Sequence, residues 1–243
     1  TRDDFLTSGT QSAELIADQW DISREQMDEF AARSHRLATA AIAEGRFDAE
    51  MVPMMLDGEV RESDQCVRPE TTAESLAGLR TAFRKENGRI TAGSSSPISD
   101  GAAAVLLCSA EAADKYGLTI RARIIDQTTV GVDPIIMLTG PIPATRKLLE
   151  RNGLTIDDID LFEVNEAFSS VVLAWLQELE ADPERVNVNG GAIALGHAVG
   201  ATGARLIATM VAELERRKAD LGLVTMCCGG GMGTGTLIQR VPS

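Results

Sequence analysis

His197 is one of only two histidines in 243 residues, and it stands in a glycine-dense stretch. From Arg185 to Gly203 the chain reads R-V-N-V-N-G-G-A-I-A-L-G-H-A-V-G-A-T-G, with glycine at 190, 191, 196, 200 and 203. Glycine at that density lets backbone pass close to a ligand, and imidazole is the side chain that changes charge nearest neutral pH. A second candidate is Cys227, which opens C-C-G-G-G-M-G (227–233). A thiol beside backbone N–H groups that no side chain obstructs is what an oxyanion site requires. A histidine nearby can lower the pKa of such a thiol or relay its proton. Asn165, in N-E-A-F (165–168), is the third. Two readings stand side by side: Cys–His nucleophilic chemistry, or a packed histidine and an inert buried cysteine next to glycine turns.

The elements that must position these residues follow from periodicity. Ser23 and Gln26 form a capping-box pattern, and Met27, Phe30, Ala31, Leu37, Ala38, Ala41 and Ile42 recur at helical spacing up to Gly45. His35 lies on that helix and is read as surface or packing. Ser12 to Gln19 predicts a short helix, whereas residues 1 to 8 carry no periodic signal. Residues 48 to 70 look extended and loop-like, and Thr71 to Leu79 predicts a short helix. The loop T-A-G-S-S-S-P-I-S-D-G (91–101) precedes Ala102 to Leu107, an apolar run that predicts a buried strand. Its three serines offer small donors for a polar ligand chain. Glu111 to Tyr116 predicts a helix ended by Gly117, and a strand begins at Arg123 to Asp126. Pro143 fits the first position of a helix running to Asn152 and closed by Gly153. Leu161 to Val164 predicts a strand, Asn165 to Glu180 a helix, Ala204 to Arg217 a helix, and Leu221 to Met226 and Thr236 to Val241 two strands. Asn165, His197 and Cys227 then all fall where strands give way to loops, the place where α/β sheets gather their ligand sites.

Composition narrows the classes. A hydrophobic fraction of 44% and a charged fraction of 24% are those of a globular protein, and aromatics at 4% leave the core to Ala, Val, Ile and Leu. A net charge of −13 argues against nucleic-acid and anionic-membrane partners, which select clustered basic faces. Arg68, Arg80, Arg84, Lys85 and Arg89 reverse the sign locally and read as a solvated charged face. No apolar run approaches the ~20 residues of a membrane span. The four cysteines show no metal-ligand spacing, so no metal site is expected, and a reducing cytoplasmic setting is the default.

Taken together, N-E-A-F (165–168), N-V-N-G-G-A-I-A-L-G-H (187–197), G-A-T-G (200–203) and C-C-G-G-G-M-G (227–233) resemble the thiolase family, the acyl-CoA acetyltransferases. R-E-Q-M-D-E-F-A-A-R-S-H (24–35), G-R-F (45–47), T-A-G-S-S-S-P-I-S-D-G-A-A-A (91–104) and G-P-I-P-A-T (140–145) extend the likeness along the chain in the family's order. The resemblance implies an α/β, thiolase-like αβαβα layered fold. It implies that 1–88 is the greater part of a loop domain, 89–119 the last strand and helix of the N-terminal half, and 120–243 the C-terminal domain. It implies CoA-dependent acyl transfer: thiolytic cleavage of a 3-ketoacyl-CoA, or the reverse Claisen condensation, with coenzyme A or acyl-CoA as substrate rather than as a resident cofactor. Among site residues, it implies that His197 activates a nucleophile, that Cys227 moves a substrate proton, that Asn165 holds an oxyanion-hole water, and that the Gly229 N–H serves a second oxyanion hole. Arg68, Ser75 and Ser96 fall where the family contacts coenzyme A.

The departures matter as much. The family's nucleophilic cysteine sits in a Ser- and Gly-rich motif of the N-terminal half. Here Cys66 (D-Q-C-V-R) and Cys108 (L-L-C-S-A) have other surroundings. The expectation is that the chain begins after about the first two-fifths of a thiolase and cannot form an acyl-enzyme alone. It is expected to meet the missing N-terminal segment or to form a homodimer or tetramer. A non-catalytic CoA-binding or dimerisation module and a stand-alone cysteine hydrolase are the alternatives. Ala198 stands where the family usually has Pro, Cys228 where it has an aliphatic residue, and Ser94 where Asn is usual.

Overall fold

The computed structural model describes residues 2–242, with side chains over 10–242. In chain order the elements are α1 (Arg2–Gln19), α2 (Arg24–Ala43), β1 (Met54–Leu56), β2 (Glu59–Arg61), α3 (Ala73–Ala77), α4 (Ala110–Tyr116), β3 (Ala122–Gly131), α5 (Pro141–Asn152), β4 (Leu161–Val164), α6 (Ser169–Leu179), α7 (Ala192–Leu195), α8 (Thr202–Arg217), β5 (Leu221–Cys228) and β6 (Met232–Arg240). β1 and β2 make a small exposed hairpin. The other strands form one sheet in the order β3-β6-β5-β4, in which β4 runs parallel to β5 and the remaining pairs are antiparallel.

Side-chain alternation divides the core between the two faces of this sheet. Phe162, Val164, Leu223 and Leu237 join Leu148 of α5 with Val172 and Trp175 of α6 on one face. Leu161, Val224 and Ile238 join Leu206, Met210 and Leu214 of α8 on the other. Trp175 is fully buried and donates its indole N–H to Thr145 Oγ1 at 3.0 Å, which satisfies the one polar atom of that ring. α1 and α2 lie outside α6. Ser170 Oγ reaches Ala13 O at 3.0 Å and Ser169 Oγ reaches Met27 O at 3.1 Å, so two hydroxyls at the start of α6 tie down both helices.

Local chemistry explains most boundaries. Both halves of the Ser23/Gln26 capping box are formed, and Gly45 takes φ +66 just past the end of α2. Gly117 and Gly153 close α4 and α5 in the same left-handed conformation. α5 begins two residues before Pro143, because Pro141 already supplies the fixed φ of a first helical position. α1 reaches back to Arg2, well beyond the expected start at Ser12.

Two expectations fail for the same physical reason, partners distant in sequence. The helix predicted from Asn165 starts only at Ser169, because 165–168 is held extended by segments from three other parts of the chain. The buried strand predicted over Ala102 to Leu107 is not formed: the run is irregular and exposed, with Leu106 at 79% and Leu107 at 67% exposure. An apolar run becomes a strand only where a neighbouring strand pairs with it, and no described residue does so. The basic cluster also divides. Arg84 pairs with Asp18 at 2.6 Å, and Arg89 donates to the carbonyls of Ala17 and Ile22, while Arg68, Arg80 and Lys85 are exposed.

A tight backbone contact lies where β6 crosses the start of α5. A Cβ on Gly140 would stand 2.6 Å from Gly233 Cα, and one on Gly233 would meet the Gly140 backbone. Neither neighbour is a side chain that can swing away. Gly233→Ala is therefore expected to cost about 2–3 kcal/mol, read as a lower urea midpoint at unchanged slope.

Candidate active site

The site is built at the end of β4. Beyond Val164 the parallel ladder continues for one residue, with Asn165 N donating to Thr225 O at 3.0 Å. Glu166 then enters the interior. Its carboxylate is fully buried and accepts from Ser34 Oγ of α2 at 2.7 Å, Asn187 Nδ2 at 2.9 Å and Ile193 N of α7 at 3.1 Å. Ser34 Oγ in turn accepts from Gly191 N at 3.0 Å. A Cβ at Gly191 would collide with the Glu166 carboxylate, which is why the second glycine of N-G-G is needed. Burial pushes the Glu166 pKa up, and its three donors pull the other way. Asn187, at φ +48, also brackets Val164 by bonding both its N–H and its carbonyl at 2.8 Å.

The serine loop lies along this junction. Ser96 donates to Ala167 O through both backbone N and Oγ at 3.1 Å, Ser169 N donates to Ser94 O at 2.9 Å, and Ser95 bridges to Phe168. One step further, His197 N donates to Pro97 O at 3.1 Å and Ile98 pairs with His197. The segment 94–98 thus zips N-E-A-F to the histidine loop. Ser94 and Ser95 turn their hydroxyls to Thr91 O, so all three serine protons are committed within the protein.

His197 is fixed from both sides. Its Nδ1 lies 2.7 Å from Thr202 Oγ1, which donates its own proton to Ala198 O at 2.9 Å. A hydroxyl has one proton, so Thr202 can only accept from the ring. Nδ1 therefore carries the hydrogen, and Nε2 keeps its lone pair. That lone pair faces Asn165 Nδ2 at 3.5 Å. Burial, and then Arg205, hold the His197 pKa below its usual value, so the ring is neutral at pH 7. Asn165 Oδ1 is buried and has no hydrogen-bond partner among the described residues. The arrangement offers a basic nitrogen and an amide oxygen with an open acceptor position side by side.

Cys227 sits on β5 opposite Gly233, in an apolar cluster with Ala167, Val171 and Leu138. No hydrogen bond joins it to Asn165 or His197 among the described residues. Burial, reinforced by Cys228, pushes its thiol up to about 12, so it is protonated and resists acting as a thiolate. The lowered thiol pKa expected from a histidine neighbour is not found. Gly229 is exposed in the turn, where Gly230 and Gly231 adopt φ +84 and +80 before β6 returns. Arg68 and Ser75 make no hydrogen bond to Asn165, Glu166 or His197 among the described residues. Arg68 N donates to His35 Nδ1 at 3.1 Å, which gives His35 its packing role, and Ser75 completes a capping box with Thr72 at the start of α3. Among the described residues no group of His, Cys, Asp or Glu has the geometry to hold a metal.

Comparison with known proteins decides the family. The model for the thiolase C-terminal domain matches residues 118–240, and that for the thiolase N-terminal domain matches residues 6–111. The chain belongs to the thiolase family. The crystal structure of a Bacillus anthracis acetyl-CoA acetyltransferase superposes with a TM-score of 0.92 at 44% identity, over 96% of this chain and 60% of that one. Human mitochondrial 3-ketoacyl-CoA thiolase in complex with CoA gives 0.90 at 39% identity, over 95% and 58%. A steroid 3-ketoacyl-CoA thiolase of Mycobacterium tuberculosis is 50% identical over 231 residues, 95% of this chain and 56% of its own length. A 3-ketoacyl-CoA thiolase of Cronobacter sakazakii is 49% identical over 238 residues, 95% of this chain and 62% of its own. This thiolase chain therefore spans about three-fifths of the length of the relatives it matches.

Reading the sequence alone missed Ser34, Glu166, Asn187 and Thr202. Only the two asparagines set into the otherwise apolar run V-N-V-N (186–189) hinted at any of them. Glu166→Gln sets an NH2 group against donors from Ser34, Asn187 or Ile193. A loss of about 1–3 kcal/mol is expected, measured by urea unfolding followed by circular dichroism.

Proposed function

We propose that this thiolase chain supplies the acid–base half of a CoA-dependent acyl-transfer site. The reaction is thiolytic cleavage of a 3-ketoacyl-CoA or the reverse Claisen condensation, and the acyl-accepting cysteine comes from outside these 243 residues. The observation that carries the reading is the neutral His197 ring, with its Nε2 lone pair turned toward Asn165. In this role His197 takes the proton of an incoming thiol, and a neutral base near pH 7 is matched to that task. Asn165 Oδ1 accepts one hydrogen of a water whose other hydrogen faces a developing oxyanion, with the Gly229 N–H serving a second one. Cys227, kept protonated by burial, fits a proton donor to a carbanion better than a nucleophile. That pKa also weighs against the stand-alone cysteine hydrolase.

Of the three coenzyme A contacts in this proposal, exposed Arg68 is the one with charge to offer a phosphate. Ser75 and Ser96 are the remaining contacts in this proposal. The CoA complex of the human mitochondrial relative supports CoA as the ligand class. Residues 1–88 as the greater part of a loop domain, 89–119 as the last strand and helix of the N-terminal half and 120–243 as the C-terminal domain complete the proposal. The exposed run at 102–107 suits a strand that pairs with the rest of a thiolase, and with it a homodimer or tetramer.

Incubated alone with acetyl-CoA, the chain is expected to stay unmodified by intact-mass spectrometry while still binding CoA by calorimetry. Arg68→Ala is expected to weaken that binding about tenfold, for the loss of a charge-assisted contact. A stable acetyl adduct on the chain would sink the divided-site reading. Absence of CoA binding would favour a dimerisation module.

A further inference from the structure

α8 buries a polar seam. Thr202, Thr209 and Glu213 are each about 97% buried, and Arg205 falls between them at helical spacing, while Leu206, Met210 and Leu214 carry the apolar contact with the sheet. Each member of the seam meets a different part of the molecule. Thr202 holds His197 Nδ1, Arg205 Nη1 lies 3.3 Å from Glu163 Oε2 on β4, Thr209 donates to Glu50 Oε1 at 3.2 Å, and Glu213 accepts from Asn189 Nδ2 at 3.1 Å. Arg205 is the cation at the centre. Its Nη2 is buried without a hydrogen-bond partner among the described residues, so its charge is not fully neutralised by contact.

We propose that Arg205, one helical turn beyond Thr202 on the same face of α8, is a positioning residue that holds His197 in its neutral, basic form. The proposal rests on His197 as the base of the site. A guanidinium stays charged throughout the physiological range, and it opposes a second positive charge on a ring fastened about 5–6 Å along the same helix face. The groups around Arg205 are acidic: Glu163 on β4, Glu166 at the β4–α6 junction, Glu50 and Asp64 from the segment that follows α2, and Glu213 on α8. Burial makes Glu163, Glu50, Asp64 and Glu166 poor neutralisers, whereas Glu213, held low against its burial by hydrogen bonds from Arg216 and Arg217, stays ionised and engages that pair. Desolvation carries Glu163 up to about 8 and Glu50 up to about 7, against the pull of Arg205, and also raises Asp64 and Glu166. As pH falls, Glu163 and Glu50 take up protons while Arg205 keeps its charge. Arg205 is the charged group that acts on His197, with Asn165 and Thr202 as its neutral neighbours.

The chain has two histidines, so an NMR titration of the imidazole C–H signals reads His197 with His35 as an internal control. Burial and Arg68, not Arg205, depress His35. The double variant R205M/E163Q removes the cation without leaving a buried carboxylate unpaired, and E163Q alone keeps the cation. The pKa of His197 is expected to rise by about 0.5 or more in R205M/E163Q and to stay low in E163Q and in R205K, with His35 unmoved in all three. An unchanged His197 in R205M/E163Q overturns the proposal, and so does an equal rise at both histidines, which marks general loosening. The measurement needs no turnover, so its failure is separable from failure of the acyl-transfer reading, which CoA binding and adduct formation test.

Discussion

One buried carboxylate organises this molecule. Glu166 leaves β4 just after Asn165 and collects a hydroxyl from α2, an amide from the 187–191 segment and a backbone N–H from α7. Burying an ionisable group in a place with no solvent is costly unless every acceptor position finds a donor. That requirement forces three segments far apart in sequence to one point. It also denies 165–168 the helix that its composition favours, because a helix there would turn the carboxylate away from its donors. The neighbours inherit the result: Asn165 is turned toward His197, and Ala167 O is left free to receive the serine loop.

What could be read beforehand, and what could not, divides by the range of the interaction. Capping boxes and terminal glycines act within a few residues, so α2, β4 and the ends of α4 and α5 were visible in the order of amino acids. The approach of Asn165 to His197 was foreshadowed because glycine and rare polar residues cluster at strand ends. Thr202 and Arg205 were not, since a polar residue every three or four positions on a helix reads as a solvated face, and nothing local shows that this face is buried. Ser34 is 132 positions from its partner Glu166. The 102–107 run shows the converse: strong local strand character without a partner remains irregular chain.

The proton inventory of the site is asymmetric. Thr202 has already given its hydrogen to Ala198 O, and this single commitment selects the tautomer of His197 with no charged residue hydrogen-bonded to the ring among the described residues. Many basic histidines are oriented by a carboxylate, which raises their proton affinity. Here a neutral hydroxyl orients the ring and a cation further along the helix opposes its protonation. The site therefore separates two properties that an acidic partner would couple: direction is set by Thr202, and basicity by burial and charge.

Ser96 offers a last consequence. Its only hydroxyl hydrogen points at Ala167 O, where it reinforces the backbone bond from the same residue. While that double clasp holds, the outward side of the oxygen presents lone pairs and nothing else. A guest that meets it must bring its own hydrogen, as an amide N–H or a hydroxyl does. A carbonyl or a phosphate oxygen would face electron density with electron density. The clasp that secures the loop therefore also filters, by polarity, what can rest against it.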